Sequence, residues 1–131
     1  INPLDSYLPH YFLLCKDTRA MAILQVSKRC HLVCFDALGF VIDRSGNSSR
    51  SHVVFSWNCK PHDFRIFGGY LVVLGERSTS VFSLKSSNLL FFRCDKTFQF
   101  CMARRDRLVL HDSHRFYDLV MPVSGVYCGD Q

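Results

Sequence analysis

The stretch HLVCFDALGFVIDRSG, residues 31–46, contains two short apolar strands separated by a turn and followed by a second turn. Related stretches occur twice more, as YLVVLGERSTSVFSLKSS from Tyr70 and RLVLHDSHRFYDLVM from Arg107. Each of them has a Leu-Val strand, a polar turn and a second strand that contains a large apolar residue. The chain therefore repeats one pattern of short strands three times.

The spacing of this repeat predicts the architecture. The Leu-Val pairs begin at Leu32, Leu71 and Leu108, so they are 39 and then 37 residues apart. A short apolar segment precedes each pair, and another follows the first two. Units of four antiparallel strands that recur every 40–45 residues or so are typical of β-propeller blades. We predict an all-β fold with about three four-stranded antiparallel blades, in units of approximately residues 21–57, 63–94 and 97–121.

Three blades are fewer than the four to eight that usually close a propeller. The third unit lacks its last strand, and PHYFLLC, residues 9–15, reads as a strand from a preceding blade. We therefore expect a partial ring, either a fragment or one of several chains, and a six- or seven-stranded sandwich is the alternative. In a blade repeat, Leu32, Leu71 and Leu108 should occupy equivalent buried positions.

Composition and charge indicate a globular domain and argue against a nucleic-acid-binding protein. The chain is 48% hydrophobic and 21% charged, which is typical of a packed globular domain, and its 12 Phe residues favour sheet. The net charge of +5 is scattered along the chain, whereas a nucleic-acid binder concentrates it on one face. The densest group, ARRDR at 103–107, lies in a predicted turn and is either solvated or faces an acidic partner or anionic lipid. Trp57, the single tryptophan, is expected to be a partly buried packing residue.

The seven cysteines are an odd number and follow no regular disulfide spacing. No secretory signal and no apolar run of bilayer length is recognisable, so we expect a cytoplasmic protein, with peripheral contact to membranes left open. Cys15, Cys34 and Cys101 lie in apolar strands and should behave as small hydrophobic residues. Cys30 is four residues from Cys34, and Cys94 seven from Cys101, neither of which is the spacing of a structural zinc site.

No catalytic motif is present: there is no G-x-S-x-G elbow, phosphate-binding loop or dinucleotide-binding glycine pattern. HDSH places His111 and His114 around a turn, where they could share a metal, but no third ligand is indicated. We predict a chain without enzymatic activity, metal or cofactor. A small metal-binding or enzymatic β domain that uses His111 and His114 is the alternative.

The segment LVCFDALGFVIDRSGNSSR, residues 32–50, resembles the citron homology (CNH) domain. The positions that match the family pattern are Leu32, Cys34, Phe35, Gly39, Val41, Gly46, Ser49 and Arg50. Further along, the matching positions are Phe55, Trp57, Pro61, Phe64, Tyr70 and Leu71. Two departures are Ala37-Leu38, where the family has an acidic residue, and Gly69, where it has proline.

This resemblance implies the C-terminal blades of a roughly seven-bladed propeller. CNH domains occur in Rho-type guanine nucleotide exchange factors, in citron-type and germinal-centre-type kinases and in vacuolar tethering proteins. The resemblance implies a non-catalytic protein–protein interaction or scaffolding module in Rho-type small-GTPase signalling. The implied partners are a Rho-type GTPase, other domains of the parent chain and the remaining blades; a vesicle-tethering propeller is an alternative.

Four arginines are the predicted partner-binding residues. Arg44 and Arg50 lie in a turn that is among the stretches most similar to the family, and Arg104 and Arg105 lie in the first turn of the third unit, next to Arg107. Arginine suits an interface because its planar guanidinium pairs with a carboxylate through two hydrogen bonds.

Overall fold

The computed structural model describes residues 18–46, 54–103 and 107–120, and within these ranges it contains β-strands and no helix. The strands are β1 Ala20–Gln25, β2 Cys30–Phe35, β3 Leu38–Asp43, β4 Val54–Ser56, β5 Pro61–Phe67, β6 Tyr70–Gly75, β7 Ser78–Ser83, β8 Leu89–Arg93, β9 Gln99–Ala103, β10 Leu108–His111 and β11 Phe116–Asp118.

Consecutive strands form three separate antiparallel sheets. Sheet 1 has the order β1-β2-β3-β4, sheet 2 has β5-β6-β7-β8, and sheet 3, as far as the structure describes it, has β9-β10-β11. A strand meander confined to one sheet is the construction of a propeller blade, whereas a sandwich distributes its strands over two facing sheets. The predicted all-β fold of about three antiparallel blades is confirmed. The segment PHYFLLC lies outside the described residues.

Left-handed backbone conformations close two of the turns. Gly46, with φ of 82°, follows β3, and Gly68, with φ of 62°, lies in the two-residue turn between β5 and β6. Glycine adopts such conformations without the steric penalty of a Cβ atom, so these residues suit tight reversals of the chain. The second turn that the sequence predicts within residues 31–46 is where β3 ends.

Sheet 2 is covered on both faces. Leu71 and Val73 of β6 belong to the core shared with sheet 1, and Val72 and Leu74 belong to the core shared with sheet 3. All four are completely buried. Because alternate side chains of a strand point to opposite faces, a strand that is apolar at every position fits a sheet with neighbours on both sides.

Aromatic rings dominate the core between sheets 1 and 2. The Trp57 ring lies 5.2 Å from that of Phe64 and 5.5 Å from that of Phe82, and its Nε1–H donates a 2.7 Å hydrogen bond to the carbonyl oxygen of Phe35. A Cβ atom at Gly39 would lie 2.9 Å from the indole, so glycine is needed for this close approach. Trp57 is only 9% exposed, which confirms its packing role. It is buried more fully than the partial burial expected from the sequence.

The leucine equivalence predicted from the repeat is correct for two of the three residues. Leu32, Leu71 and Leu108 are all completely buried on the second strand of their sheets. Leu71 faces the preceding sheet, as does Leu108, but Leu32 faces the following one, in the same core cluster as Leu71. On sheet 1 the outward position belongs to Val33. A register offset of one residue moves a side chain to the other face, and aligning the Leu-Val pairs does not detect it.

The two end faces of the three-sheet stack each expose one large apolar side chain. Ile23 pairs with Val33 on the outer face of sheet 1, and Phe116 pairs with His111 on the outer face of sheet 3. They are 69% and 73% exposed, the highest values among the large hydrophobic residues that the structure describes. This is the exposure expected when further blades of a ring pack against both ends.

Candidate functional site

An open groove of about 530 Å³ lies at the end of sheet 1 where β3 ends. It is lined by Ile23, His31, Ile42, Asp43, Arg44, Ser45 and Gly46. One of the four predicted partner-binding arginines, Arg44, therefore lies in a concave surface together with apolar side chains.

The turn that follows β3 holds Arg44 at the edge of this groove. The Asp43 carboxylate accepts a 2.9 Å hydrogen bond from the backbone N–H of Ser45, and the N–H of Gly46 donates to the carbonyl of Asp43 over 3.1 Å. Aspartate commonly closes turns in this way, because its short side chain reaches the backbone two residues later. The turn thus presents the Arg44 side chain to solvent from a backbone that is hydrogen-bonded on both sides.

The groove combines a cation with an apolar wall. Arg44 is exposed and has no ion-pair partner among the described residues. His31 and Ile42 face each other across β2 and β3, and Ile23 adds an exposed aliphatic side chain from β1. Such a surface suits a protein segment that offers a carboxylate beside an apolar side chain.

The other predicted arginines differ from Arg44. Arg50, Arg104 and Arg105 lie outside the described residues, so the structure does not place them. Arg107 makes a two-pronged ion pair with Asp118, with its Nε 2.7 Å and its Nη2 3.1 Å from the two carboxylate oxygens. This ion pair joins the start of β10 to β11. It engages the guanidinium N–H groups that Arg107 would otherwise offer to a carboxylate of a partner.

Sequence reasoning did not identify Ile23 or His31 as groove residues. A signal for Ile23 was present, because the alternation of MAILQV places it on the opposite face from its neighbours Ala22 and Leu24. His31 precedes the Leu-Val pair and gave no such signal. Its position in the groove depends on the register of β2 against β3, in which it lies opposite Ile42.

The described contacts of the HDSH turn are hydrogen bonds and ring packing that hold the turn itself together. The Asp112 carboxylate accepts 3.0 Å hydrogen bonds from the backbone N–H groups of His114 and Arg115, and a 2.9 Å bond from the Tyr117 hydroxyl. The His111 ring packs against Phe116, with the ring centres 6.4 Å apart. Within the described ranges no group of three His, Cys, Asp or Glu side chains could hold a metal ion.

Hydrogen bonding at this turn determines the electrostatics of its charged groups. The backbone N–H groups of His114 and Arg115 hold the pKa of Asp112 well below its usual range, with further help from the Tyr117 hydroxyl and Lys96. The hydrogen bond between Lys96 and the Tyr117 hydroxyl, 3.0 Å long, raises the pKa of the Lys96 amine. Asp112 is therefore a permanently ionised cap at neutral pH and does not act as a proton donor.

The five cysteines in the described part of the chain are all free thiols. Burial raises the pKa of Cys34 to about 12, so that at neutral pH it is a protonated, unreactive core residue, as predicted. Cys101 was expected to behave as a small hydrophobic residue of an apolar strand, like Cys34, but it is exposed. It lies in β9 beside a register shift against β10, and such an irregularity turns a side chain away from the face that alternation predicts. Cys15 lies outside the described residues.

The sequence profile of the CNH domain family matches residues 3–104 of this chain, which is more than half of its length. The chain belongs to the CNH family. Among solved structures it is similar to the AfRom2 CNH domain, with 14% sequence identity and a TM-score of 0.72. The alignment covers 84% of this chain and 35% of that structure, and at this identity it shows a shared fold. No curated protein matches the chain.

The three sheets thus correspond to about a third of a CNH domain of known structure. This confirms the family that the sequence resemblance indicated, and membership of the CNH family supports a role as a protein-interaction module in the general sense. No helix long and apolar enough to cross a membrane occurs in the described ranges.

Proposed function

We propose that this CNH chain is a non-catalytic docking module in Rho-type small-GTPase signalling, acting as part of a larger exchange factor or kinase. The observation that carries this proposal is the groove at the end of sheet 1, where the exposed Arg44 lies beside an apolar wall. The partner is a Rho-type GTPase or another domain of the parent chain that inserts a carboxylate and an apolar side chain into the groove.

Two properties of the described residues support a binding role over a catalytic one. The most deeply buried thiol, Cys34, is protonated at neutral pH, and Asp112, the carboxylate between the two candidate histidines, is engaged by turn hydrogen bonds. General acid–base catalysis requires a group that changes its protonation near the working pH, and neither residue does so. The free thiols suit a reducing compartment, and we propose a cytoplasmic location.

A completed ring sets a limit on the size of the partner contact. The outer face of sheet 1, where a preceding blade would pack, carries Ile23, His31 and Ile42, so that blade would contact the apolar side of the groove. Arg44 lies on the turn that leaves β3. The accessible contact is therefore a narrow one at the rim, with Arg44 as its anchor, since binding energy concentrates in a few such residues.

The test is retention of Rho-type GTPases, loaded with GDP or with a non-hydrolysable GTP analogue, on the immobilised full chain. Arg44→Glu should weaken retention by about thirtyfold or more, because removing a hot-spot arginine costs at least about 2 kcal/mol. Arg115→Glu is the matched control: it makes the same charge change at an exposed position in the third sheet's turn, and should bind like the unaltered chain.

Equal binding by both charge reversals would contradict the proposal. A loss of binding by Arg44→Glu accompanied by a lower melting temperature would show instead that the groove is a contact between blades. Charge reversal at Arg50, Arg104 and Arg105 extends the test to the remaining predicted arginines. Replacement of both His111 and His114 by alanine should leave GTPase binding unchanged. If the unaltered chain holds a metal ion and the alanine variant loses both the metal and the function, the metal-binding alternative is favoured.

A further inference from the structure

The outermost strand of sheet 2 carries an apolar surface that stays exposed although both faces of the sheet have a neighbouring sheet. On β8, Leu89 is 39% exposed, Leu90 43% and Phe92 41%. The neighbouring Phe91 packs against the core shared with sheet 3 and holds the strand in place. We call Leu89, Leu90 and Phe92 the rim patch.

The two sheets that flank sheet 2 leave the rim patch exposed. Ile23 and Phe116 lie on the outer faces of sheets 1 and 3, where further blades would pack. Sheet 2, in contrast, already has sheet 1 on one face and sheet 3 on the other. Its fourth strand, β8, lies at the edge of the sheet, and of its apolar residues only Phe91 packs against one of these cores. A contiguous apolar surface that remains after folding and assembly commonly marks a binding site.

Among the described residues, the edge of β8 that faces away from β7 has no strand partner and could accept one. In the described part of the chain β8 pairs with β7 alone, and after a register shift beside Leu90 its residues 91–93 continue a regular ladder. Native proteins protect edge strands with proline, lysine or very short length. The outer strand of sheet 1, β4, has three residues in the described part of the chain, whereas β8 has five and contains neither proline nor lysine.

The charges beside the rim patch differ at its two ends. Arg93 is paired with Asp95 at 2.8 Å. Lys85, in the turn that leads into β8, is exposed and has no ion-pair partner in the ranges that the structure describes. A ligand that lies along β8 therefore meets one unpaired positive charge, at the Leu89 end.

We propose that β8 binds an extended apolar segment of another protein, which adds to sheet 2 as a fifth strand and places an acidic residue near Lys85. Strand addition takes its affinity from main-chain hydrogen bonds and its specificity from alternate side chains. Here those side chains would contact the rim patch. This site is independent of the Arg44 groove, because it belongs to a different sheet and to a different ligand.

The test uses the full chain and a blocked ten-residue probe peptide that alternates Val and Thr and carries two Glu residues at one end. A second probe has Lys in place of Glu, and a third has Pro at alternate positions and cannot form a strand. Fluorescence anisotropy gives the affinity, and amide hydrogen exchange shows whether residues 89–93 become protected on binding.

The Glu probe should bind and slow exchange at residues 89–93, while the Pro probe should bind at least tenfold more weakly. Leu90→Lys should weaken the Glu probe at least tenfold, and Phe92→Lys repeats the test at a second position. Lys85→Glu should reverse the preference between the Glu and Lys probes. Val120→Lys, which adds the same charge at an exposed apolar residue that follows β11, should stay within twofold of the unaltered chain.

Equal binding of the Pro probe would overturn the proposal, and so would a Leu90→Lys variant that is folded and binds normally. If the chain binds phosphatidylserine vesicles but not the Glu probe, the proposal is wrong and the ligand of the rim patch is a membrane surface. Because Arg44 is distant in sequence and lies in another sheet, failure here leaves the GTPase test of the groove unaffected.

Discussion

The second and fourth strands of sheet 2 are similar in composition and opposite in environment. The β6 sequence YLVVLG and the β8 sequence LLFFR are both strongly apolar. Leu71, Val72, Val73 and Leu74 of β6 are completely buried, whereas three of the five β8 residues are about 40% exposed. The difference arises because β6 lies between two neighbouring sheets and β8 lies at the sheet edge. The same kind of apolar sequence is thus buried at the centre of a blade and exposed at its rim.

Truncation of one leucine in each strand should show this difference most clearly. Leu71→Ala should lower the free energy of unfolding by about 2–5 kcal/mol, because it removes a fully buried side chain and leaves a cavity. Leu90→Ala should change it by no more than about 0.5 kcal/mol, as is usual for exposed positions. Urea denaturation of the two variants measures both values. Similar losses in both strands would mean that β8 contributes to the core as much as β6 does.

At the corresponding edge of sheet 1, Phe55 and the following Trp57 are buried, and Trp57 tests this contrast with β8. Trp57→Phe should destabilise the chain by about 1–3 kcal/mol, because the Phe35 carbonyl loses its hydrogen-bond donor and the ring contacts with Phe64 and Phe82 are reduced. Phe92→Leu, at the exposed edge of sheet 2, is the comparison and should be nearly neutral. Thermal melts followed by circular dichroism are sufficient. A neutral Trp57→Phe would show that the edge of sheet 1 tolerates loss of this anchor.

Between β6 and β8, the strand β7 buries hydroxyl groups whose effect on stability should be unfavourable. Ser78, Thr79 and Ser80 are nearly inaccessible, and their side-chain oxygens have no hydrogen-bond partner in the described part of the chain. Thr79→Val should therefore raise the free energy of unfolding by about 1 kcal/mol, since it removes an unpaired polar atom at constant shape.

Thr97→Val is the matched control for this change. The Thr97 hydroxyl accepts a 3.1 Å hydrogen bond from the backbone N–H of Arg77, so the same substitution should lower stability by about 1 kcal/mol. Chemical denaturation of both variants gives the two signs directly. A destabilising Thr79→Val would contradict this prediction and would mean that the Thr79 hydroxyl makes a hydrogen bond outside the described residues.

The smallest expected effect is a pH dependence of stability that arises from Asp112 in the turn between β10 and β11. Turn hydrogen bonds lower the pKa of Asp112 below its value in the unfolded chain, so the unfolded state takes up protons first as the pH falls. The stabilisation from Asp112 should be fully present above about pH 4, the unfolded value for aspartate, and should diminish below it.

Melting temperatures measured between pH 6 and pH 2.5 test this expectation. Asp112→Asn should show a shallower fall in melting temperature with acid than the unaltered chain. Glu76→Gln, an exposed carboxyl in the turn between β6 and β7, serves as the control for charge alone. Parallel curves for the unaltered chain and Asp112→Asn would mean that the Asp112 hydrogen bonds contribute no stability.

Much of the fold could be predicted because it depends on local pattern. The spacing of Leu32, Leu71 and Leu108 indicated repeated antiparallel units, and the residues around Gly39 and Gly46 indicated the CNH family, both of which were confirmed. The site was less predictable. Arg44 was nominated from its turn, but its association with Ile23 and His31 depends on strand register, which composition and spacing do not specify.

Two properties of this chain were determined by its sequence alone: apolar residues that alternate or run continuously over short segments, and turn residues at regular intervals. Strand formation and hairpin closure depend on neighbours in the chain, so these patterns were sufficient for an all-β repeat. Tertiary structure decided which of the apolar strands are buried. It placed Leu71 between two sheets, turned Leu32 to the opposite face, exposed Cys101 beside a register shift and left Leu90 at an open edge. Burial depends on which sheets pack together, and that is a property of the assembled stack.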